Sequence, residues 1–295
     1  MKKAVIFIKG GFGNQLFQIA YAIYLKQKKY KVIVNTSFLK NDGYSTPRHM
    51  ILSPEFFELK KQNKLESYLF IFFYRLNRSH KFNLFQNFLS EYKFTVDSEK
   101  NDTLNYKTIF FNGYWKDLKY IEPIKENLIS LLKKDSYLNY GFNNKKNKQH
   151  AMIHVRRGDF LRENRQLNIN YYERSIDILN SKGITTYDVF TDDPEWVKSQ
   201  EVFKNVNKIF AQISGQDIEF VKKGINSTDD KEETIKTFGE MLSYQNFVIG
   251  NSSYSFWAAF LGSSTDSVVT IADPMFRDEQ RQNIYLDRWY LIPNT

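Results

Sequence analysis

The 295-residue sequence contains no cysteine. That rules out a disulfide framework, a thiolate metal site and a cysteine nucleophile, and it fits a reducing compartment. Histidine is nearly as scarce: His49, His80, His150 and His154 stand apart, with no HExxH or related pairing, so no metal site is expected. Long hydrophobic runs are missing as well. Met1 to Lys9 has a basic tip and a run of only five apolar residues, and the run Leu69 to Phe73 is equally short, too short for a signal-sequence core or a membrane span. These absences predict a soluble, cytoplasmic protein without a tightly held transition metal. What remains is a chain with 42% hydrophobic residues, enough to bury substantial cores, and of a length that suggests about two domains.

The net charge of +9 conceals an asymmetry. Residues 1 to 150 carry 26 Lys and Arg against 12 Asp and Glu, whereas residues 151 to 295 carry 16 against 21. A basic half suggests nucleic acid, but no helix-turn-helix, RNP or KH signature accompanies it, so no nucleic-acid partner is expected. An anionic membrane face suits the charge equally well, and a merely solvated lysine-rich surface is the plain alternative.

Short β-branched runs alternate with stretches of helical period, the pattern of α/β units with parallel strands. In the first half, strands are expected at Ala4 to Ile8, Lys31 to Asn35 and Lys107 to Asn112, with helices over Asn14 to Lys28 and Ile121 to Lys134. Ser53 to Tyr92 is aromatic and helical in character. The polar, aperiodic stretch Lys133 to Gln149 reads as a linker. Beyond it, strands are expected at Ala151 to Val155, Tyr187 to Thr191, Val206 to Phe210, Phe247 to Gly250 and Val268 to Ala272. Helices are expected over Tyr171 to Asn180, Lys231 to Tyr244 and Tyr254 to Leu261. The pattern predicts two Rossmann-like α/β domains facing each other, over residues 1–140 and 150–295.

Three turns follow strand ends, where open α/β sheets bind ligands. Gly10-Gly11-Phe12-Gly13-Asn14-Gln15 offers close backbone approach and a helix N-terminus. It fails as a dinucleotide fingerprint, because Leu16 replaces the third small residue and Asn35 ends the next strand without a ribose-binding acid. It is either a plain tight turn or a ligand loop. In His154-Val155-Arg156-Arg157-Gly158-Asp159, adjacent arginines project differently, so that one can clamp a phosphate while the other bonds the scaffold. A carboxylate three positions on from Arg156 can orient it or act as a base, and an ion-paired loop is the alternative. Asn251-Ser252-Ser253 precedes an apolar helix and is either a simple N-cap or a hydroxyl-lined pyrophosphate cradle. Asp192 and Asp193 have the character of helix caps.

Taken together, Gly10 to Gln18, His154 to Phe160, Thr191 to Lys198 and Asn251 to Leu261 resemble, in order and spacing, the motifs of the bacterial α-1,2-fucosyltransferases of glycosyltransferase family eleven. Gly113 to Tyr120 resembles the stretch that precedes that family's arginine motif. The resemblance covers nearly the whole chain. It implies a GT-B architecture and inverting transfer of L-fucose from GDP-β-L-fucose, as donor substrate, to the 2-hydroxyl of a galactoside, with no metal or other cofactor. It places diphosphate binding on Arg156, with His154 and Arg157 shaping the site and Gly11, Gly13, Asn14, Gln15, Asp192, Asn251, Ser252 and Ser253 bordering the nucleotide sugar. Asp159 is the first choice of general base, with Glu163 or Asp192 in reserve. Thr237 stands where the family often carries an aspartate linked to guanine recognition, and Phe256 and Ala258 replace a common Trp and Gly. The second domain would hold the nucleotide and the first the acceptor. The basic-aromatic stretch Leu69 to Phe85 reads either as an ordinary core-facing helix with a solvated charged side or as a face that rests on an anionic inner leaflet presenting a lipid-linked acceptor.

Overall fold

Ala4 to Phe7 form an unbroken apolar run with no solvent exposure, and such a strand needs cover on both faces, as in a parallel sheet. The computed structural model describes residues 1–41, 48–63, 65–67, 92–96, 107–211, 227–275 and 282–294, with only the backbone described at 40–41, 92–96, 159 and 227–230. The stretch 69–85, expected to meet a membrane, lies outside the described residues. The chain divides into two compact units, Met1–Leu131 and Leu132–Thr295.

In the first unit, β1 (Lys3–Phe7), β2 (Lys31–Asn35), β3 (Lys60–Lys61), β4 (Tyr92–Val96) and β5 (Thr108–Asn112) form a parallel sheet in the order β3-β2-β1-β5-β4. Helix α1 (Phe12–Gln27) carries Leu16, Phe17, Ile19, Ala20 and Ile23 into the core, and its Tyr21 ring stacks on buried Trp115 at 4.5 Å. Helix α2 (Lys125–Leu132) ends the unit, with Leu128 and Leu131 buried.

The second unit opens with a correction. The polar stretch read as a linker holds helix α3 (Ser136–Asn143), which starts where Asp135 accepts the amide N–H groups of Tyr137 and Leu138 at 3.0 and 3.1 Å. Only Leu138 and Gly141 of this helix are buried, too few to impose a visible helical period on the sequence. The compact units therefore meet at Leu131/Leu132, ahead of the expected boundary near 140. The remaining elements are β6 (His150–Val155), α4 (Gly158–Arg162), α5 (Ile169–Ser181), β7 (Thr186–Thr191), α6 (Pro194–Ser199), β8 (Lys208–Ala211), α7 (Ser227–Leu242), β9 (Asn246–Ile249), α8 (Ser253–Gly262), β10 (Val269–Asp273) and β11 (Tyr290–Pro293). All six strands pair in parallel, in the order β11-β10-β9-β6-β7-β8. This is the doubly wound Rossmann order, with its reversal between β6 and β9. The expected α/β class with two Rossmann-like units is the one observed.

Two details position the helices of this unit. Lys145, from the supposed linker, donates from Nζ to the carbonyls of Leu242 and Gly262 at 2.5 and 3.1 Å, tying together the C-terminal ends of α7 and α8. Helices α3 and α7 cross in backbone contact: a Cβ added to Gly141 would lie 2.0 Å from the Gly239 carbonyl oxygen.

Candidate active site

In each sheet the strand order reverses beside its first strand, and the crevice outside the carboxyl ends at such a reversal is where open α/β sheets bind ligands. In the first unit the reversal lies between β1 and β5. Gly10 there takes φ +76°, a conformation that favours glycine, and Gly11 leads into α1 with no side-chain cap. Gln15 is 2% exposed; it donates from Nε2 to the carbonyls of Gly10 and His49 at 3.0 and 2.8 Å and accepts from Ile51 N–H at 3.1 Å. Gln18 grips Lys9 in the same way, accepting from its N–H at 2.9 Å. The two amides of this motif thus brace the turn from within. Gly13 is buried inside α1, while a Cβ on Gly11 would meet nothing within 4 Å. Asn14 Oδ1 is buried without a hydrogen-bond partner among the described residues. Across the same crevice, Lys9 and Lys116 lie 4.9 and 5.2 Å from the centre of the Tyr114 ring.

In the second unit the reversal brings two of the expected turns together, since β6 ends at Val155 and its neighbour β9 ends at Ile249. His154, 1% exposed, bonds through Nδ1 to Ser255 Oγ at 2.9 Å. A Cβ on Gly250 would come within 2.7 Å of the His154 carbonyl oxygen and 3.0 Å of Nδ1, so the glycine permits this approach. Asn251 donates from Nδ2 to the Arg165 carbonyl, and its own Oδ1 is buried without a hydrogen-bond partner among the described residues. Ser252 caps α8, accepting from Tyr254 N–H at 3.3 Å, and Ser253 begins the helix.

The arginine turn is locked to the end of β7. Arg156 Nη1 pairs with Asp192 Oδ2 at 2.7 Å, the carboxylate side chain being 1% exposed. Asp192 Oδ1 also accepts the Arg157 backbone N–H at 2.8 Å, and a Cβ on Gly158 would meet Oδ2 at 2.8 Å. Arg157 pairs through Nε with Asp193 at 3.0 Å and lies 3.9 Å from the centre of the Trp196 ring. Asp193 in turn caps α6 by accepting from Trp196 N–H at 3.1 Å.

Both arginines are held by carboxylates, because the loop after β7 supplies two consecutive aspartates. The Asp159 side chain lies outside the described residues, although its backbone belongs to α4. Glu163 lies 3.7 Å from Arg165 Nε and is 55% exposed. Ser255, Gly250 and Trp196 escaped the sequence reading. Only the i, i+3 step from Asp193 to Trp196 carried a signal, as a capping pattern.

Buried phenols surround the turns. Burial pushes Tyr172 well above the ordinary tyrosine range, with the charges of Tyr171 and Asp192 adding and that of Arg157 opposing. Burial, reinforced by the charge of Glu233, does the same to Tyr254, which as a neutral phenol donates to the Thr234 carbonyl at 2.7 Å. Among the described residues, no three His, Asp or Glu side chains converge as metal ligands would, and no helix is long and apolar enough to cross a membrane.

The chain thus holds two parallel, doubly wound α/β units, the second with two arginines paired to carboxylates at its strand ends. The sequence matches the Glycosyl transferase family 11 model over residues 4–293, and the chain belongs to that family. It is 25% identical to the O-antigen biosynthesis glycosyltransferase WbnK of Escherichia coli, over 96% of this chain and 98% of that one. It is 27% identical to an alpha-1,2-colitosyltransferase of Escherichia coli, over 95% and 94% of the two chains. A solved structure of a mutant Arabidopsis thaliana FUT1 in complex with GDP aligns with a TM-score of 0.46 and 11% identity, covering 96% of this chain and 72% of that one.

Proposed function

We propose that the protein is an inverting, metal-independent galactoside α-1,2-fucosyltransferase. It moves L-fucose from GDP-β-L-fucose to the 2-hydroxyl of a terminal galactoside in an O-antigen or related surface glycan, on the cytoplasmic side of the membrane. The observation that carries this reading is the Arg156–Asp192 pair across the carboxyl ends of β6 and β7, with the Asn251–Ser253 turn at the end of β9 on the other side of β6. In the reaction the acceptor oxygen attacks the anomeric carbon as the bond to the β-phosphate oxygen breaks, and GDP departs with the bonding electrons. Negative charge grows on that phosphate, and a fixed guanidinium stabilises it without reorganising. Asp192 pairs with Arg156 through Nη1, and Asp193 and Trp196 hold Arg157 alongside. Asp159 takes the acceptor proton; Asp192 is too deeply ion-paired for that task. The first unit receives the galactoside, and the lipid-linked form of the acceptor accounts for the basic charge of the first half.

A second reading has one specific support. The colitosyltransferase relative points to a neighbouring GDP sugar as donor, colitose being fucose without its 3-hydroxyl. A GDP-release assay with lactose as acceptor and a panel of GDP sugars separates these readings. Fastest turnover with GDP-fucose is expected. Turnover confined to GDP-colitose selects the second, and donor binding without turnover, or binding to anionic vesicles alone, defeats both.

A further inference from the structure

The first 41 residues hold eight lysines and no acidic residue, and the fold gathers most of those lysines at one edge. Lys3 opens β1 directly after Lys2, Lys31 opens β2, and Lys107 immediately precedes β5. The three strand starts are neighbours. Lys3 is in register with Lys31, the Lys31 N–H donates to the Lys2 carbonyl at 2.8 Å, and the Lys3 N–H donates to the Lys107 carbonyl at 2.9 Å. Helix α1 returns to the same edge, where the N–H groups of Lys28 and Lys29 close it on the carbonyls of Tyr24 and Lys26 at 3.1 and 3.0 Å. The amino ends of the first sheet thus carry Lys2, Lys3, Lys28, Lys29, Lys31 and Lys107.

This concentration of one charge has a cost. Adjacent strands lie roughly 4.8 Å apart, so the ammonium groups repel one another. Lys29 adds to it by taking φ +63° just past the helix end, a position that glycine ordinarily fills. The amino edge of the second sheet is built differently, with its bases matched to acids. His150 opens β6 and lies 2.9 Å from Asp188, while Lys146 and Lys148 pair with Glu240 and Asp266 at 2.9 and 3.9 Å.

We infer that the amino edge of the first sheet is a docking face for an anionic bilayer surface. This rests on the lipid-linked acceptor of the proposed function and extends it to the residues that hold the enzyme at the lipid. Lysine alone supplies the charge: the first 41 residues contain no arginine, whose planar fork suits individual phosphates of a nucleic acid, whereas point charges suit the diffuse field of anionic headgroups. Tyr24 and Tyr30 are half-buried beside the lysines, and Lys28 Nζ lies 5.4 Å from the centre of the Tyr24 ring, so amphipathic rings stand where headgroups would meet the protein. The edge also lies opposite the Gly10 crevice. Strand β1, of five residues, rises roughly 17 Å between the two, so docking leaves the crevice open.

Sedimentation of the full-length protein at low salt with vesicles of phosphatidylglycerol and phosphatidylcholine tests this. The patch variant Lys28→Glu/Lys29→Glu/Lys31→Glu is compared with a charge-matched control, Lys182→Glu/Lys198→Glu/Lys204→Glu, all six positions being exposed. A lysine near such a surface contributes about fivefold in binding, so the patch variant should bind about 100-fold more weakly or worse, and the control should lose no more than about tenfold. Lys29→Gly alone should weaken binding about fivefold while leaving Tm unchanged or raised, which separates docking from folding. Turnover of GDP-fucose with soluble lactose should be the same in the patch variant and the wild type. Equal losses in the patch variant and the control, undiminished binding by the patch variant, or no binding by the wild type overturns the docking face. Tighter binding of the wild type to single-stranded RNA than to the vesicles, abolished by the same three substitutions, also overturns it in favour of a nucleic-acid face. Absence of lactose turnover in the wild type, with the vesicle results as expected, defeats the proposed transfer and leaves the docking face standing.

Discussion

Replacing Gly141 by alanine isolates the α3–α7 crossing. The added Cβ would lie 2.0 Å from the Gly239 carbonyl oxygen and 2.8 Å from its carbonyl carbon, both backbone atoms that no rotamer change can move. The helices must part by roughly an ångström. Such a gap forfeits about a quarter to a half of the dispersion energy across it, here involving Leu138, Phe238, Met241 and Leu242, all without solvent exposure. Overpacking costs about 1–3 kcal/mol where side chains can yield, and a backbone obstacle places this site at or beyond the upper end. Helix propensity returns about 1 kcal/mol for Gly→Ala. A net loss of about 2–3 kcal/mol corresponds to a fall in Tm of about 4–12 °C for a unit of this size. Near-UV circular dichroism during heating measures it. Gly239→Ala meets the Tyr137 carbonyl oxygen at 2.5 Å and should cost a similar amount. Once the helices have parted, the second methyl is largely accommodated, so the double variant should fall short of the sum by about 1 kcal/mol or more. An unchanged or raised Tm for Gly141→Ala, or strict additivity, would refute the close crossing.

Four further outcomes are expected. Arg156→Lys should lower kcat about 10²–10³-fold with the melting profile preserved, because a point charge cannot reproduce the guanidinium held by Asp192, and near-normal turnover would remove Arg156 from the reaction. Burial raises Tyr171, Tyr172 and Tyr254 above the ordinary value, so the unfolded chain loses their protons first. Stability is therefore complete below about pH 10 and falls above it by up to roughly 4 kcal/mol per pH unit for the three, and urea titrations showing no loss by pH 11 would contradict this. Transfer should persist in excess EDTA; abolition by chelation with recovery on adding manganese would end the metal-independent mechanism. The protein should co-sediment with phosphatidylglycerol vesicles at low salt and be released at high salt, whereas equal recovery with neutral vesicles would return the basic half to plain solubility.

Strand–turn–helix alternation determined most of the second unit directly, because parallel strands such as β6 and β9 are buried on both faces and stand out as apolar runs. The three ligand-type turns were visible for a related reason: glycine, arginine pairs and Asn-Ser clusters at strand ends are unusual locally. Hidden elements lacked a local signature. Helix α3 buries only Leu138 and Gly141 and sits in a polar stretch, and β11 is largely exposed. Asp188 lies in an apolar strand, and nothing nearby in the sequence announces that it is 2% exposed and bonded to Tyr244, His150 and Asn207. Tertiary structure alone decided the partners. Arg156 and Asp192 are 36 positions apart, and His154 and Ser255 are 101 apart; they meet because β6 pairs with β7 on one side and β9 on the other. The sequence determined which residue types stand at strand ends, through local propensity and burial. Which ends become neighbours, and so which carboxylate orients which guanidinium, is set by strand order, a long-range property that no window of sequence contains.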